Sequence, residues 1–336
     1  NEHARRIRDE GFELHPIVLD RSGINPVKEI RSLLAIVRLY RQVQPSLAHH
    51  VALKPVIYGS IASRVTDSSV VINALAGFGF LFASERLIAR LARPFVRAVL
   101  RYCLTRSGSH VLVQNDDDVQ AVKRFGVRAE CVHKIAGSGV DTSWFLPTSE
   151  PAGPCVVTVL SRMLWDKGIQ EFVDAAVEIR KTHDDVVFQL VGDTDPDNPA
   201  AIPREVLLGW QGQGIVRWLG HQEDIRTVWQ TSHIAVLASY REGLPKALLE
   251  AAACGLPLVT TDVPGCRTLV VDDDNGLVVP VRDSGALARA LIQLIDDPSL
   301  RRRLGISARW HAEQFYSTER IGGQARDLYQ LLLSNE

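Results

Sequence analysis

Apolar and polar positions along this chain alternate between two periods. Short apolar runs, of the kind that a buried parallel strand shows, fall at 14–19, 46–51, 70–74, 110–115, 155–160, 186–191, 215–219, 233–238, 256–260 and 276–279. Between them lie longer stretches with apolar residues every three or four positions, at 26–44, 53–65, from Glu85, at 169–181, from Asp224, and from Ser284 almost to the end. Strands alternating with helices predict an α/β fold with mostly parallel sheets. The alternation breaks once, at 145–154, where three prolines and a glycine fall together, and then restarts. The pattern predicts a first domain over 1–146, a linker over 147–154 and a second domain of similar architecture from 155 to 317.

One stretch gathers most of the chemistry. The run 233–238 leads into Ser239-Tyr240-Arg241-Glu242-Gly243-Leu244-Pro245-Lys246, and the helix formers Ala247, Leu248, Leu249, Ala251 and Ala252 follow. Pro245 suits a first helical turn, and Gly255-Leu256-Pro257 stops the helix. A helix N-terminus aimed out of a sheet presents free N–H groups and partial positive charge, which suit a phosphate. Glu242 lies in the turn. Glu250 lies about 7–8 Å further along the helix axis, so the two acids face different parts of an elongated ligand. An ordinary βα unit with one surface and one half-buried glutamate reads the same way.

A second motif separates these readings. Ser161-Arg162-Met163-Leu164-Trp165-Asp166-Lys167-Gly168 follows the first strand of the second half. Ligands of open parallel sheets bind beyond the carboxyl ends of the strands, so Arg162 and Lys167 reach the same rim as Glu242. One offers a bidentate fork and the other a point charge. Two cations, a helix N-terminus and two carboxylates suit a diphosphate flanked by hydroxyl-rich groups, which describes a nucleotide sugar.

Composition adds limits. The 336 residues suffice for two domains, and no apolar run reaches the length that spans a bilayer. The charged opening is not a signal peptide, and Asn1 to Gly11 reads as the end of a helix, so a first βα unit of about 40 residues is expected to be missing. The five cysteines are far apart and form no C-x-x-C pair, which fits reduced core residues of a cytoplasmic protein. The net charge of −1 conceals +8 over residues 1–140 and −9 over the rest. Arg86, Arg90, Arg93, Arg97 and Arg101 share one helical face after the Phe-rich loop 74–82, with Pro94 set to kink or split the helix. This amphipathic segment predicts contact with an anionic membrane surface; a core helix with a solvated basic edge is the alternative. Asp116-Asp117-Asp118 reads as the start of a helix, and Asp272-Asp273-Asp274 as a turn, rather than as metal sites. No nucleic-acid-binding module is recognised, and no G-x-G-x-x-G marks a dinucleotide site.

Taken together, the motifs resemble the retaining GT-B-fold glycosyltransferases of family 4. The matching residues are Ser161-Arg162 with Lys167-Gly168, Val191-Gly192-Asp193, Leu219-Gly220-His221, Glu242 with Glu250, the Ala251 to Pro257 segment, Asn275-Gly276-Leu277-Val278-Val279-Pro280, and Gly139-Val140-Asp141 before the linker. The resemblance covers about 105–330. It implies two Rossmann-like doubly wound domains facing across a cleft, with a last helix at 318–336 crossing back to the first domain. It implies that Arg162 and Lys167 hold the donor diphosphate, that Glu250 accepts from ribose hydroxyls, and that Glu242 contacts the donor sugar. Gly243, Leu244, Pro245 and Lys246 would help Glu242, while Gly192, Leu219 and His221 line the rest of the donor pocket. No cofactor and no divalent metal are implied, because protein cations neutralise the leaving group.

The first half departs from the commonest pattern, with Ala76 where many members carry histidine. Its Ala-Gly-Phe-Gly loop and Lys54-Pro55 pair are similar to members that extend sugars on polyprenyl diphosphates in bacterial surface-polysaccharide assembly. Acceptor-side candidates are His50 (or its neighbour His49), Lys54 and Gly77. The leading expectation is transfer from a UDP-sugar to a lipid-linked or saccharide acceptor, on the inner face of the cytoplasmic membrane. A nucleotide-sugar epimerase of similar fold and a nucleotide-sugar-binding protein without transfer activity are the alternatives.

Overall fold

The computed structural model describes residues 2–19, 25–67, 70–75 and 87–334. Gly77, Arg86, most of the 74–82 loop and the side chains of Arg90 and Arg93 lie outside the described residues. The chain folds as two parallel sheets with helices on their faces.

The first half carries helices α1 (Glu2–Asp9), α2 (Pro26–Val43), α3 (Leu53–Thr66), α4 (Leu87–Leu104) and α5 (Asp116–Arg124). Its strands are β1 (Leu47–Val51), β2 (Val70–Ala74), β3 (Ser109–Val113) and β4 (Val132–Lys134), in the spatial order of the sequence. The Asn25 side chain caps α2 by accepting from Val27 N and Lys28 N. Pro94 sits inside α4 without dividing it. Among the described residues, 14–19 pair with no strand. Pro16 has no N–H for a ladder, and the segment instead leans on α2, where Ser32 Oγ donates to Val18 O at 2.8 Å.

The second sheet takes the order β10-β9-β8-β5-β6-β7, from β5 (Val156–Leu160), β6 (Val187–Val191), β7 (Arg217–Trp218), β8 (Ile234–Leu237), β9 (Leu258–Thr261) and β10 (Gly276–Val279). The chain reverses its winding between β5 and β8, the switch point where such sheets bind ligands. Helices α6 (Ile169–Ile179), α7 (Arg204–Gly212), α8 (Ile225–Gln230), α9 (Lys246–Ala253), α10 (Pro264–Leu269), α11 (Ser284–Asp296), α12 (Pro298–Tyr316) and α13 (Thr318–Ser334) complete it. One core, built on Phe172, Phe188, Ile179 and Leu291, covers one face of the sheet. Another, built on Trp229, Leu248, Leu258 and Ala308, covers the other. Both faces are therefore dry, which accounts for continuous apolar runs in place of alternation.

The pattern did not single out α7 and α10. Gly209 and Gly212 dilute the first, and Pro264-Gly265 reads as a turn rather than a start. The strand expected over 215–219 shortens to Arg217–Trp218.

Helix α13 returns to the first half as expected. Ile321, Leu328 and Leu332 bury against Val70, Ile72 and Ile135. Tyr329 Oη and His49 Nδ1 meet at 2.6 Å. At the crossing point, Val140 and Ser317 form a parallel bridge.

Candidate active site

Two loops build the site, and backbone contacts hold them together. Tyr240 N donates to Asp166 O at 2.9 Å, and Ser239 Oγ donates to the same carbonyl at 3.2 Å. Gly168 sits at φ +69, where a Cβ would lie 2.0 Å from Ala238 O. Only a glycine lets the loop after β5 approach the end of β8 this closely. The approach brings Lys167 to Glu242: Nζ donates to Oε1 at 2.6 Å, with the two side chains 19% and 13% exposed.

The other cation lies further out. Arg162 Nη1 donates to Asp195 Oδ2 at 2.6 Å. Asp195 follows Gly192-Asp193 at the end of β6 and was not among the sequence candidates; an acid three residues after a glycine at a strand end is its only signal. Gly192 (φ +126) packs on Ser161, where a Cβ would lie 1.9 Å from the carbonyl oxygen. Its N–H donates to Gly220 O at 2.8 Å, and its carbonyl accepts from Trp218 Nε1 at 2.8 Å. These bonds place Gly192 beside Leu219 and His221, both exposed. The segments expected to line one donor pocket are thus neighbours.

Pro245 takes the cap position of α9, with φ −77 and ψ 103, rather than the first helical turn. Lys246 opens the helix and is exposed; Gly243 and Leu244 are half-buried. Glu250 lies one turn in, its side chain 12% exposed, with Lys246 Nζ at 3.9 Å. Burial pushes its carboxyl above the usual range, while Lys246 opposes this. Tyr240 Oη donates to Glu171 Oε1 at 2.6 Å, and burial pushes that phenol up to about 12.

On the other side of the cleft, the acceptor-side candidates divide. His50 is a packed residue, 8% exposed. One ring nitrogen meets Tyr40 Oη and the other meets Asn73 Oδ1 at 2.8 Å. A Cβ on Gly59 would lie 2.3 Å from the ring, so α3 closes directly over it. Burial keeps its pKa low, and no nitrogen is left for an acceptor, which corrects the expectation placed on it. Lys54 pairs with Glu29 of α2 at 2.9 Å.

The acidic runs serve structure. Asn115 is the cap of α5, with Asp116, Asp117 and Asp118 in the first turn. Asp272 Oδ1 accepts from Val278 N at 2.8 Å. All five cysteines are free, and burial raises the thiols of Cys103 and Cys155 to about 11 and of Cys254 to about 12.

The rim lies at the switch point of one doubly wound sheet and faces the other domain, which is the arrangement of the GT-B fold. Residues 154–297 match the family model of the glycosyl transferases group 1, and residues 1–115 match that of the glycosyl transferase 4-like family; the chain belongs to these glycosyltransferases. It is 24% identical to the N,N'-diacetylbacillosaminyl-diphospho-undecaprenol alpha-1,3-N-acetylgalactosaminyltransferase of Campylobacter jejuni, over 100% of this chain and 90% of that protein. It is 26% identical to the UDP-Gal:alpha-D-GlcNAc-diphosphoundecaprenol alpha-1,3-galactosyltransferase of Escherichia coli, over 83% of this chain and 73% of that protein. The fold superposes on sucrose-phosphate synthase from Thermosynechococcus elongatus with a TM-score of 0.81, at 22% identity over 96% of this chain and 87% of that one. It also superposes on Anabaena HepE in complex with UDP-glucose, with a TM-score of 0.77 at 20% identity over 98% and 89%.

Proposed function

We propose that the chain transfers a sugar from a UDP-sugar to a lipid-linked saccharide, with retention of configuration and without a divalent metal. The carrying observation is the Lys167–Glu242 pair, a cation and an acid that meet where a diphosphate and its sugar would lie together. Lys167 and Arg162 supply the positive charge that a leaving diphosphate needs, the work a metal does elsewhere. Glu242 then faces the sugar, and Glu250, one turn further along α9, accepts from the ribose hydroxyls. The acceptor oxygen bonds to the anomeric carbon as the bond to the phosphate oxygen breaks. Its proton passes to that leaving oxygen on the same face, which retains configuration through an oxocarbenium-like transition state.

The acceptor reading rests on the two polyprenyl-linked sugar transferases among the relatives. Helix α4 supports work at a membrane surface. Phe95 and Tyr102 are 73% and 56% exposed, in the same stretch as the exposed Arg97 and Arg101. Attachment is peripheral in this reading, and among the described residues no helix is long and apolar enough to cross a membrane.

Calorimetric titration with UDP, GDP and ADP in the presence of chelator tests the donor half. UDP is expected to bind the wild type and to bind Lys167→Ala far more weakly; equal affinity in both would remove Lys167 from the site. Flotation with vesicles of anionic and of neutral lipid tests the membrane half, and indifference to lipid charge counts against it.

A further inference from the structure

The turn that carries Glu242 is also where the two domains touch. Asn115 follows β3 in the first domain and is 1% exposed. Its Oδ1 accepts from Asp118 N at 2.8 Å and caps α5. Its Nδ2 donates to Asp118 Oδ2 at 3.0 Å and, across the domain boundary, to Gly243 O at 3.1 Å. A cap needs only the oxygen, and serine or aspartate would serve as well. The amide is what reaches the second domain.

Other contacts fix the same turn. A Cβ on Gly265 of α10 would lie 2.4 Å from Gly243 O and 2.6 Å from Glu242 O. A Cβ on Gly137, in the loop after β4, would lie 2.9 Å from Leu244 Cδ2. Arg267 Nη2 reaches Asp117 Oδ2 at 3.5 Å as a second bridge between the domains. The turn is therefore pressed from the second domain and held from the first. No described peptide is cis, and across a trans peptide the C=O and the following N–H point in opposite directions. Holding the Gly243 carbonyl therefore sets where the Leu244 N–H points.

We infer that Asn115 is a positioning residue: its amide locks the Gly243 carbonyl when the domains seat together, and so aims the Leu244 N–H and Glu242 at the donor. The inference rests on the donor reading of this turn given above. It makes the donor site complete only in the closed arrangement of the two domains.

Asn115→Ser and Asn115→Ala separate this role from capping. Both lose the bond to Gly243, because a serine hydroxyl is too short to span it, but only alanine loses the cap. Two quantities are measured in the free protein and with UDP as probe: amide hydrogen exchange over 239–246, and the calorimetric Kd for UDP. Serine, which keeps the cap, is expected to melt above alanine while the segment exchanges faster than in the wild type and the Kd rises about three- to tenfold, the worth of one neutral hydrogen bond. Serine behaving as wild type in both exchange and affinity would overturn the inference and leave Asn115 a cap. A wild type that binds no UDP counts against the donor reading alone, since the exchange comparison still decides whether Asn115 holds the turn.

Discussion

Lys167 Nζ lies 2.6 Å from Glu242 Oε1, although 75 residues separate them, and both side chains are largely shielded from water. Without a donor, each neutralises the other. A diphosphate competes for the ammonium, which makes the two substitutions unequal. Lys167→Ala is expected to weaken UDP binding by about 10–100-fold, as the loss of a charge-assisted contact does. Glu242→Gln releases the lysine, so UDP affinity should hold or improve while transfer falls by about 100-fold or more. Titration and turnover measured on both variants check this. Parallel losses of UDP affinity would sink the division of roles.

Glu250 carries a pH signature. Burial raises its folded pKa above the ordinary carboxylate value. The protonated form is therefore favoured by the fold, and this contribution to stability is present below the unfolded pKa and lost as pH rises through the folded one. At neutral pH the charged Glu250 costs stability. Glu250→Gln should then melt higher than wild type at pH 7.5 and lose that advantage near pH 4. UDP affinity, which needs the carboxylate as acceptor, should fall on acidification at a pH above the ordinary glutamate range in wild type but not in Glu250→Gln. Paired melting and titration series at several pH values decide this.

Gly168 makes the meeting of the two loops possible. Gly168→Ala must place a methyl 2.0 Å from Ala238 O at a φ of +69. The backbone strain alone is worth about 1–3 kcal/mol, and the clash adds to it. Relief requires the loop after β5 to move away, taking Lys167 with it. Chemical denaturation should show the loss of stability, and UDP titration should show an affinity close to that of Lys167→Ala. Wild-type affinity in a folded Gly168→Ala protein would show that the close approach is not what sets the pair.

Helix α13 ties the halves together through Leu328, which is 7% exposed among Val70, Ile72 and Ile135 of the first domain. Leu328→Ala is expected to cost about 2–5 kcal/mol. Because the lost contact joins domains rather than filling one core, urea unfolding should separate into two transitions. Small-angle scattering should show a larger radius of gyration in the absence of urea. A single transition at unchanged midpoint counts against this role for α13.

Much of this was legible in the sequence, for a physical reason. Strands buried on both faces must be apolar throughout, so the β8 and β2 runs announced themselves. The helix N-terminus at Lys246, the glutamate one turn in and the cations after β5 are local features, set within a few residues of a strand end. The two α/β halves were likewise marked by period and by the linker prolines, while the return of the last helix was implied by the family resemblance. Contacts between distant segments were not legible. Nothing near Lys167 in the sequence says that it pairs with Glu242, and nothing near Arg162 points to Asp195. His50 looked available at a strand end, but the tertiary structure closes α3 over it and occupies both its nitrogens with Tyr40 and Asn73. Asn115 looked like the end of a strand; the fold makes it a cap whose spare amide reaches the other domain. Periodicity and local chemistry fix which elements form and which groups reach the rim. Which of those groups meet depends on how separately wound sheets seat against one another, and only the tertiary structure decides that.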